Sequence, residues 1–135
     1  MTNPPDQYKK TRLAPTPSGF LHLGNVLSFS ITAALAIKSG AKILLRIDDI
    51  DQPRVNKEYL HDIFDTLNFL ELPWHEGPRN VKGFEVAYSQ LHRMDMYNEA
   101  LIQLCGSDLV FACSCSRSSI SNDECHCLEK HIPLA

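Results

Sequence analysis

The run from Gly24 to Ile47, "GNVLSFSITAALAIKSGAKILLRI", constrains the fold more than any other part of the chain. From Gly24 to Lys38 it is apolar almost all round, the pattern of a helix buried on most sides. Gly40 fits the C-terminal cap, because the residue just past a helix end adopts a left-handed conformation that costs glycine nothing. Ala41 to Ile47 then reads as a strand that is apolar on both faces, as central strands of parallel sheets are. Upstream, "TRLA" (Thr11 to Ala14) is a short strand stopped by Pro15 and Pro17. Strand, helix and strand in this order make a parallel βαβ unit.

The remaining elements extend that unit. Leu60, Ile63, Phe64, Leu67 and Leu70 repeat at helical spacing between Lys57 and Leu70. "LPWHEGPRNVKG" (Leu72 to Gly83) is a loop by its proline and glycine content, and no role falls to Trp74 or His75. A third helix, about Gln90 to Leu104, lines up Leu91, Met94, Tyr97, Leu101 and Leu104 on one face. "LVFAC" (Leu109 to Cys113) is expected to be a third strand. The expected fold is α/β, with a Rossmann-like, mostly parallel sheet. The expected division is a flexible N-terminus over 1–10, the Rossmann-like α/β part over 11–112 and a cysteine-bearing C-terminal segment over 113–135.

The 135 residues suffice for one domain with a real core, and 44% apolar with 21% charged content is ordinary for a globular chain. No apolar run approaches a membrane span, and "MTNPPDQYKK" lacks a signal-peptide core, so the cytoplasm is the expected location. The net charge of −3 displays no general nucleic-acid surface, so the basic contacts to any RNA are local or lie outside this chain. All five cysteines fall in the last third. An odd number in a chain without an export signal speaks against a disulfide framework and for metal binding.

Two segments carry chemistry. "APTPSGFLHLGN" (Ala14 to Asn25) sits between the first strand and the first helix, where open α/β sheets bind ligands. A helix N-terminus there offers unpaired N–H groups and partial positive charge to phosphate. Gly19 and Gly24 let backbone come close to a ligand, and His22 is placed to donate a hydrogen bond to a phosphate. In the tail, Cys113 and Cys115 form one Cys-x-Cys pair and Cys125 and Cys127 another. Four thiolates converging in this way suit a structural zinc ion, with His126 and His131 as substitute ligands. Cys105, on the third helix, reads as a small buried apolar residue. Tyr59, Leu60 and Phe64 read as core. Asp49 and Asp51 either order their loop, together with Arg54, or form a solvated acidic turn.

"RLAPTPSGFLHLGN" resembles the first signature of class I aminoacyl-tRNA synthetases in its glutamyl-tRNA synthetase version, matching at Arg12, Ala14, Pro15, Pro17, Gly19, His22 and Gly24. "LLRIDDIDQPR" resembles that family's second block, and "LPWHEGP" and "YSQLHRMDMYNEAL" later ones, over about residues 11 to 117. "DIDQPR", with Ile50 and Pro53, resembles the glutamyl-Q-tRNA(Asp) branch, which attaches glutamate to the queuosine base of tRNA(Asp), more than the charging enzymes.

The resemblance implies the N-terminal half of a class I catalytic domain that activates glutamate with ATP and Mg2+ and transfers it to tRNA, tRNA(Asp) being the option. It implies that Arg12, Ala14, Thr16 and Asp48 contact glutamate and that Pro15, Gly19, His22, Gly24 and Asn25 hold ATP. His22 and Asn25 would take part in catalysis. Cys113, Cys115, Cys125 and Cys127 would hold Zn2+. Asn25 stands where the signature often has a second histidine. Asp48 stands where the family has glutamate, so its carboxylate lies a methylene further from the amino group it would receive. The Lys-rich ATP loop of the second half has no counterpart here, so the 135 residues alone are expected to be inactive. A truncated, non-catalytic zinc-containing paralogue that binds nucleotide or tRNA is the alternative. The oligomeric state is not legible.

Overall fold

The structure, a computed structural model, describes residues 8–107, 110–116 and 127. The chain divides into two compact units, Met1–Arg93 and Met94–Ala135.

In the first unit, β1 (Lys10–Leu13) pairs in parallel with β2 (Lys42–Leu45), in a register that sets Lys10 beside Lys42 and Leu13 beside Leu45. The pairing outlasts the strands. Arg46 N–H donates to the Leu13 carbonyl (2.9 Å) and Asp48 N–H to the Pro15 carbonyl (3.0 Å), so residues 13–15 and 46–48 remain side by side. Between the strands runs α1 (Leu23–Ser39), closed by Gly40 at φ 68°. Lys57–Phe69 forms α2, started by Asn56, whose side chain accepts from Glu58 N–H at 2.9 Å.

The segment read as a plain loop also belongs to the sheet. Leu45 N–H donates to the Glu76 carbonyl (2.9 Å) and His75 N–H to the Ile43 carbonyl (2.7 Å). The N–H of Ile43 donates instead to His75 Nδ1 (3.0 Å), so an imidazole stands where a neighbouring strand would offer a carbonyl. The Trp74 indole donates to the Pro78 carbonyl at 3.0 Å, and the Arg79 guanidinium lies 5.1 Å from its ring centre. A single helical turn, α3 (Val81–Gly83), then widens into a π-turn over Phe84–Tyr88.

Alternation along the strands sorts the side chains. Leu13, Ile43, Leu45 and Ile47 enter one core with Phe29, Ala33 and Ala36 of α1 and Leu60, Ile63, Phe64 and Leu67 of α2. Arg12, Ala14, Leu44, Arg46 and Asp48 occupy the intervening positions and so the opposite face.

Helix α1 departs from the sequence reading. Leu23, Leu27, Ile31 and Leu35, four residues apart, are 82%, 60%, 51% and 61% exposed, and Ile37 is exposed beside them. The all-round apolar pattern therefore serves two faces, one in this core and one uncovered among the described residues. Tyr59 also leaves the expected stripe, while Leu60 and Phe64 keep to it: Tyr59 is half-buried and meets the Phe20 ring edge-on at 4.8 Å.

Of the third helix expected over about Gln90 to Leu104, Gln90–Arg93 form a 3-10 turn that ends the first unit, and the second unit opens with α4 (Met94–Cys105). None of its residues is fully buried, and Leu101 and Leu104 of the expected apolar face are exposed. Cys105 is half-buried rather than in a core. The strand expected over Leu109 to Cys113 is not present in its described part, residues 110–113, and Leu109 lies outside the described residues. An apolar run becomes a strand where a partner edge takes up its hydrogen bonds, and among the described residues neither the β1–β2 ladder nor the Leu44–Glu76 bridge includes residues 110–113.

Candidate functional site

The loop from Ala14 to His22 is fixed from below by α2. Leu21 N–H donates to Asp62 Oδ2 (2.8 Å), Asn56 N–H donates to the Pro17 carbonyl (3.1 Å), and Phe20 packs on Tyr59. None of these anchors is evident in sequence, because Asp62 and Asn56 lie about 40 residues from the loop they hold. The fixed loop surrounds a depression of about 260 Å³ lined by Ala14, Pro15, Thr16, Gly19, His22 and Asn25 of the predicted residues, together with Ser18, Phe20, Leu21 and Phe29.

His22 is the N-cap of α1. Its Nδ1 accepts from Gly24 N–H (3.1 Å), and its own N–H donates to Asn25 Oδ1 (3.2 Å), so ring and amide cap each other's backbone. With Nδ1 occupied as an acceptor, the neutral ring carries its proton on Nε2, which is left to donate outward. Asn25, at the position of the second histidine, completes this cap. Gly24 does not line the depression. Its need for glycine comes from the histidine: a β-carbon at Gly24 would stand 2.9 Å from His22 Cε1. Gly19 has nothing within 4 Å of such a carbon and faces open space.

Arg12 and Asp48 lie outside the depression, on the open face of the β1–β2 ladder. Neither side chain forms a hydrogen bond or ion pair among the described residues. Ala14 and Thr16 follow Arg12 at the alternate positions of the same chain, so they lead from that face to the rim of the depression. The backbone bond from Asp48 to Pro15 brings the predicted amino-group acceptor against the signature loop.

The acidic loop after β2 resolves into two roles. Asp49 is 3% exposed; it accepts from Ser89 Oγ (2.5 Å) and Gln90 N–H (2.8 Å), tying the loop to a segment 40 residues away. Asp51 pairs with Arg54 at 3.6 Å in an exposed 3-10 turn that Pro53 helps to start.

In the second unit, the sulfurs of Cys113, Cys115 and Cys127 lie within 4.8 Å of one another, and those of Cys115 and Cys127 are 3.3 Å apart. Tetrahedral zinc with Zn–S bonds near 2.3 Å sets its sulfurs about 3.8 Å apart, so the three fit as donors to one ion. Cys125, His126 and His131 lie outside the described residues.

Residues 9–131 match the family model for the catalytic domain of class I tRNA synthetases of the E and Q type. The chain belongs to this family. It is 40% identical over 111 residues to glutamate–tRNA ligase 2 of Nitrosococcus oceani, covering 82% of this chain and 23% of that one. It is 38% identical over 109 residues to the glutamyl-Q tRNA(Asp) synthetase of Nitratidesulfovibrio vulgaris, covering 81% and 33%. Its structure superposes on the glutamate-tRNA synthetase of Elizabethkingia anophelis with a TM-score of 0.62 and 28% identity, over 75% of this chain and 20% of the other. The chain thus spans between a fifth and a third of the length of these relatives.

Proposed function

We propose that this chain supplies the glutamate- and ATP-binding part of a ligase that activates glutamate as its adenylate and passes it to tRNA. The observation that supports the reading is the His22 cap, which occupies Nδ1 and leaves Nε2 of an exposed ring at the N-terminus of α1, on the lining of the depression it shares with Pro15, Gly19 and Asn25. A carboxylate oxygen of glutamate attacks the α-phosphorus of MgATP, the bond to the bridging oxygen breaks, and pyrophosphate leaves. The protein forms no covalent bond in this step, so its contribution is positioning and charge. Pro15, Gly19, Gly24 and Asn25 shape the ATP site, His22 Nε2–H donates to a phosphate oxygen, Arg12, Ala14 and Thr16 hold glutamate, and Asp48 receives its ammonium. Asp48 does so with one methylene less than the glutamate it replaces.

Cys113, Cys115, Cys127 and Cys125 would hold a structural zinc ion in the 113–135 segment. Transfer to the queuosine base of tRNA(Asp), rather than to a tRNA terminus, is the finer reading, and Ile50 and Pro53 favour it. A cytoplasmic location accompanies either acceptor.

The reading is tested by binding of a sulfamoyl analogue of glutamyl-adenylate to the 135-residue chain. The analogue is expected to raise the melting temperature of the chain, and His22→Ala to remove most of that rise without changing the fold. Equal stabilisation of the two proteins would overturn the role of His22, and no stabilisation of either would overturn the function. The chain alone is expected to show no glutamate-dependent ATP–pyrophosphate exchange.

A further inference from the structure

The Nε of Arg46 is buried and has no hydrogen-bond partner among the described residues. Buried N–H groups nearly always have an acceptor, and one that lacks it calls for an explanation. The β1–β2 ladder supplies the context. The register that sets Arg12 beside Leu44 sets Ala14 beside Arg46, with Asp48 two residues further on the same face. At about 3.3 Å per residue, Arg46 stands roughly 7 Å along the ladder from the Arg12 level and the same distance from Asp48. Arg12, Arg46 and Asp48 are thus two guanidiniums and one carboxylate on one face, and none has an ion pair among the described residues.

That charge set is the complement of an amino acid with two carboxylates and one ammonium. Resting on the function proposed above, we propose that Arg46 receives the α-carboxylate of this substrate, with the ammonium on Asp48 and the side-chain carboxylate on Arg12. The ammonium and α-carboxylate of any amino acid share one carbon, so their partners must be neighbours, as Arg46 and Asp48 are. The second carboxylate, several bonds away, reaches the more distant guanidinium. A neutral amino acid would leave one guanidinium unpaired, so the pair selects for a dicarboxylic substrate. Arg46 would then touch the group that attacks ATP.

The test is a ligand–residue cycle measured by saturable binding to the full 135-residue chain. The ligands are L-glutamate, its α-amide and its side-chain amide; the proteins are the unaltered chain, Arg46→Gln, Arg46→Lys and Arg12→Gln. The unaltered chain is expected to bind glutamate about tenfold more tightly than either amide, the scale of one lost charged hydrogen bond. Arg46→Gln is expected to weaken glutamate about tenfold and to stop distinguishing it from the α-amide, while still rejecting the side-chain amide. Arg46→Lys is expected to keep part of the preference. If Arg46→Gln does not fold, the unaltered chain's preference over the α-amide, reduced in Arg46→Lys, carries the same decision. Undiminished discrimination of the α-amide by the Arg46 variants, with Arg12→Gln impaired, overturns this inference alone. No saturable glutamate binding by the unaltered chain overturns the proposed function and this inference with it.

Discussion

A β-carbon added at Gly24 would meet the His22 ring at 2.9 Å. Helix propensity alone would favour alanine there by up to about 1 kcal/mol. Gly24→Ala is therefore expected to leave the helix formed while pushing the imidazole off its cap. Nucleotide-analogue binding should fall about tenfold or more while the helical circular-dichroism signal is kept; undiminished binding would show that the ring position does not matter. At the opposite end of β1, Glu76 takes a hydrogen bond from Lys10 Nζ at 2.7 Å, and this bond is the main reason its carboxyl lies below the ordinary value. A lowered acid stabilises the fold above its unfolded value and loses that contribution as pH falls through the folded one. The melting temperature of Glu76→Gln should accordingly lie slightly below that of the unaltered chain at pH 7. The difference should close on acidification and shrink in high salt, because the pair is exposed.

Among the elements, the segment around His75 decides how β2 is closed on its second edge. Gly77 has φ 105°, and a β-carbon there would lie 2.2 Å from the Leu45 carbonyl oxygen. Gly77→Ala thus combines backbone strain with a clash against the sheet and should cost about 3 kcal/mol, read as a fall in denaturation midpoint. A loss below about 0.5 kcal/mol would mean that the segment detaches from β2 freely. This is also where reading the sequence stopped short. The stripe of α2, the cap at Gly40 and the β1–α1–β2 order were legible because each is a local pattern of apolar spacing or glycine placement. His75 acting as a strand carbonyl, Asp49 accepting from Ser89 and Gln90, and Asp62 holding Leu21 are contacts made over 32 to 41 residues, and no local pattern carries them. The signature residues were legible as a motif. The reason for Gly24 emerged only with the His22 ring in place. Residues 110–113 of the expected third strand are not in strand conformation for the complementary reason, since a favourable composition does not by itself supply a ladder.

For the molecule as a whole, the zinc ion proposed at Cys113, Cys115 and Cys127 would be a source of order separate from the core of the β1–β2 unit. A small segment whose thiolates share an ion owes much of its folding free energy to the metal. Elemental analysis of metal-replete protein is expected to give about one zinc per chain, with Cys115→Ser lowering it. Chelation should unfold a transition distinct from that of the β1–β2 core; protein without zinc, or a melting curve indifferent to chelator, would remove the ion from the account. The exposed stripe of α1 has a further consequence, for colloidal behaviour rather than for fold. Leu23, Leu27, Ile31 and Leu35 form a ribbon of oil on a chain whose repulsion from its own copies comes from a formal charge of only −3 at pH 7. Near pH 6.0, where the formal charges of the sequence sum to zero, net repulsion between copies is weakest, so the chain is expected to be least soluble in mild acid.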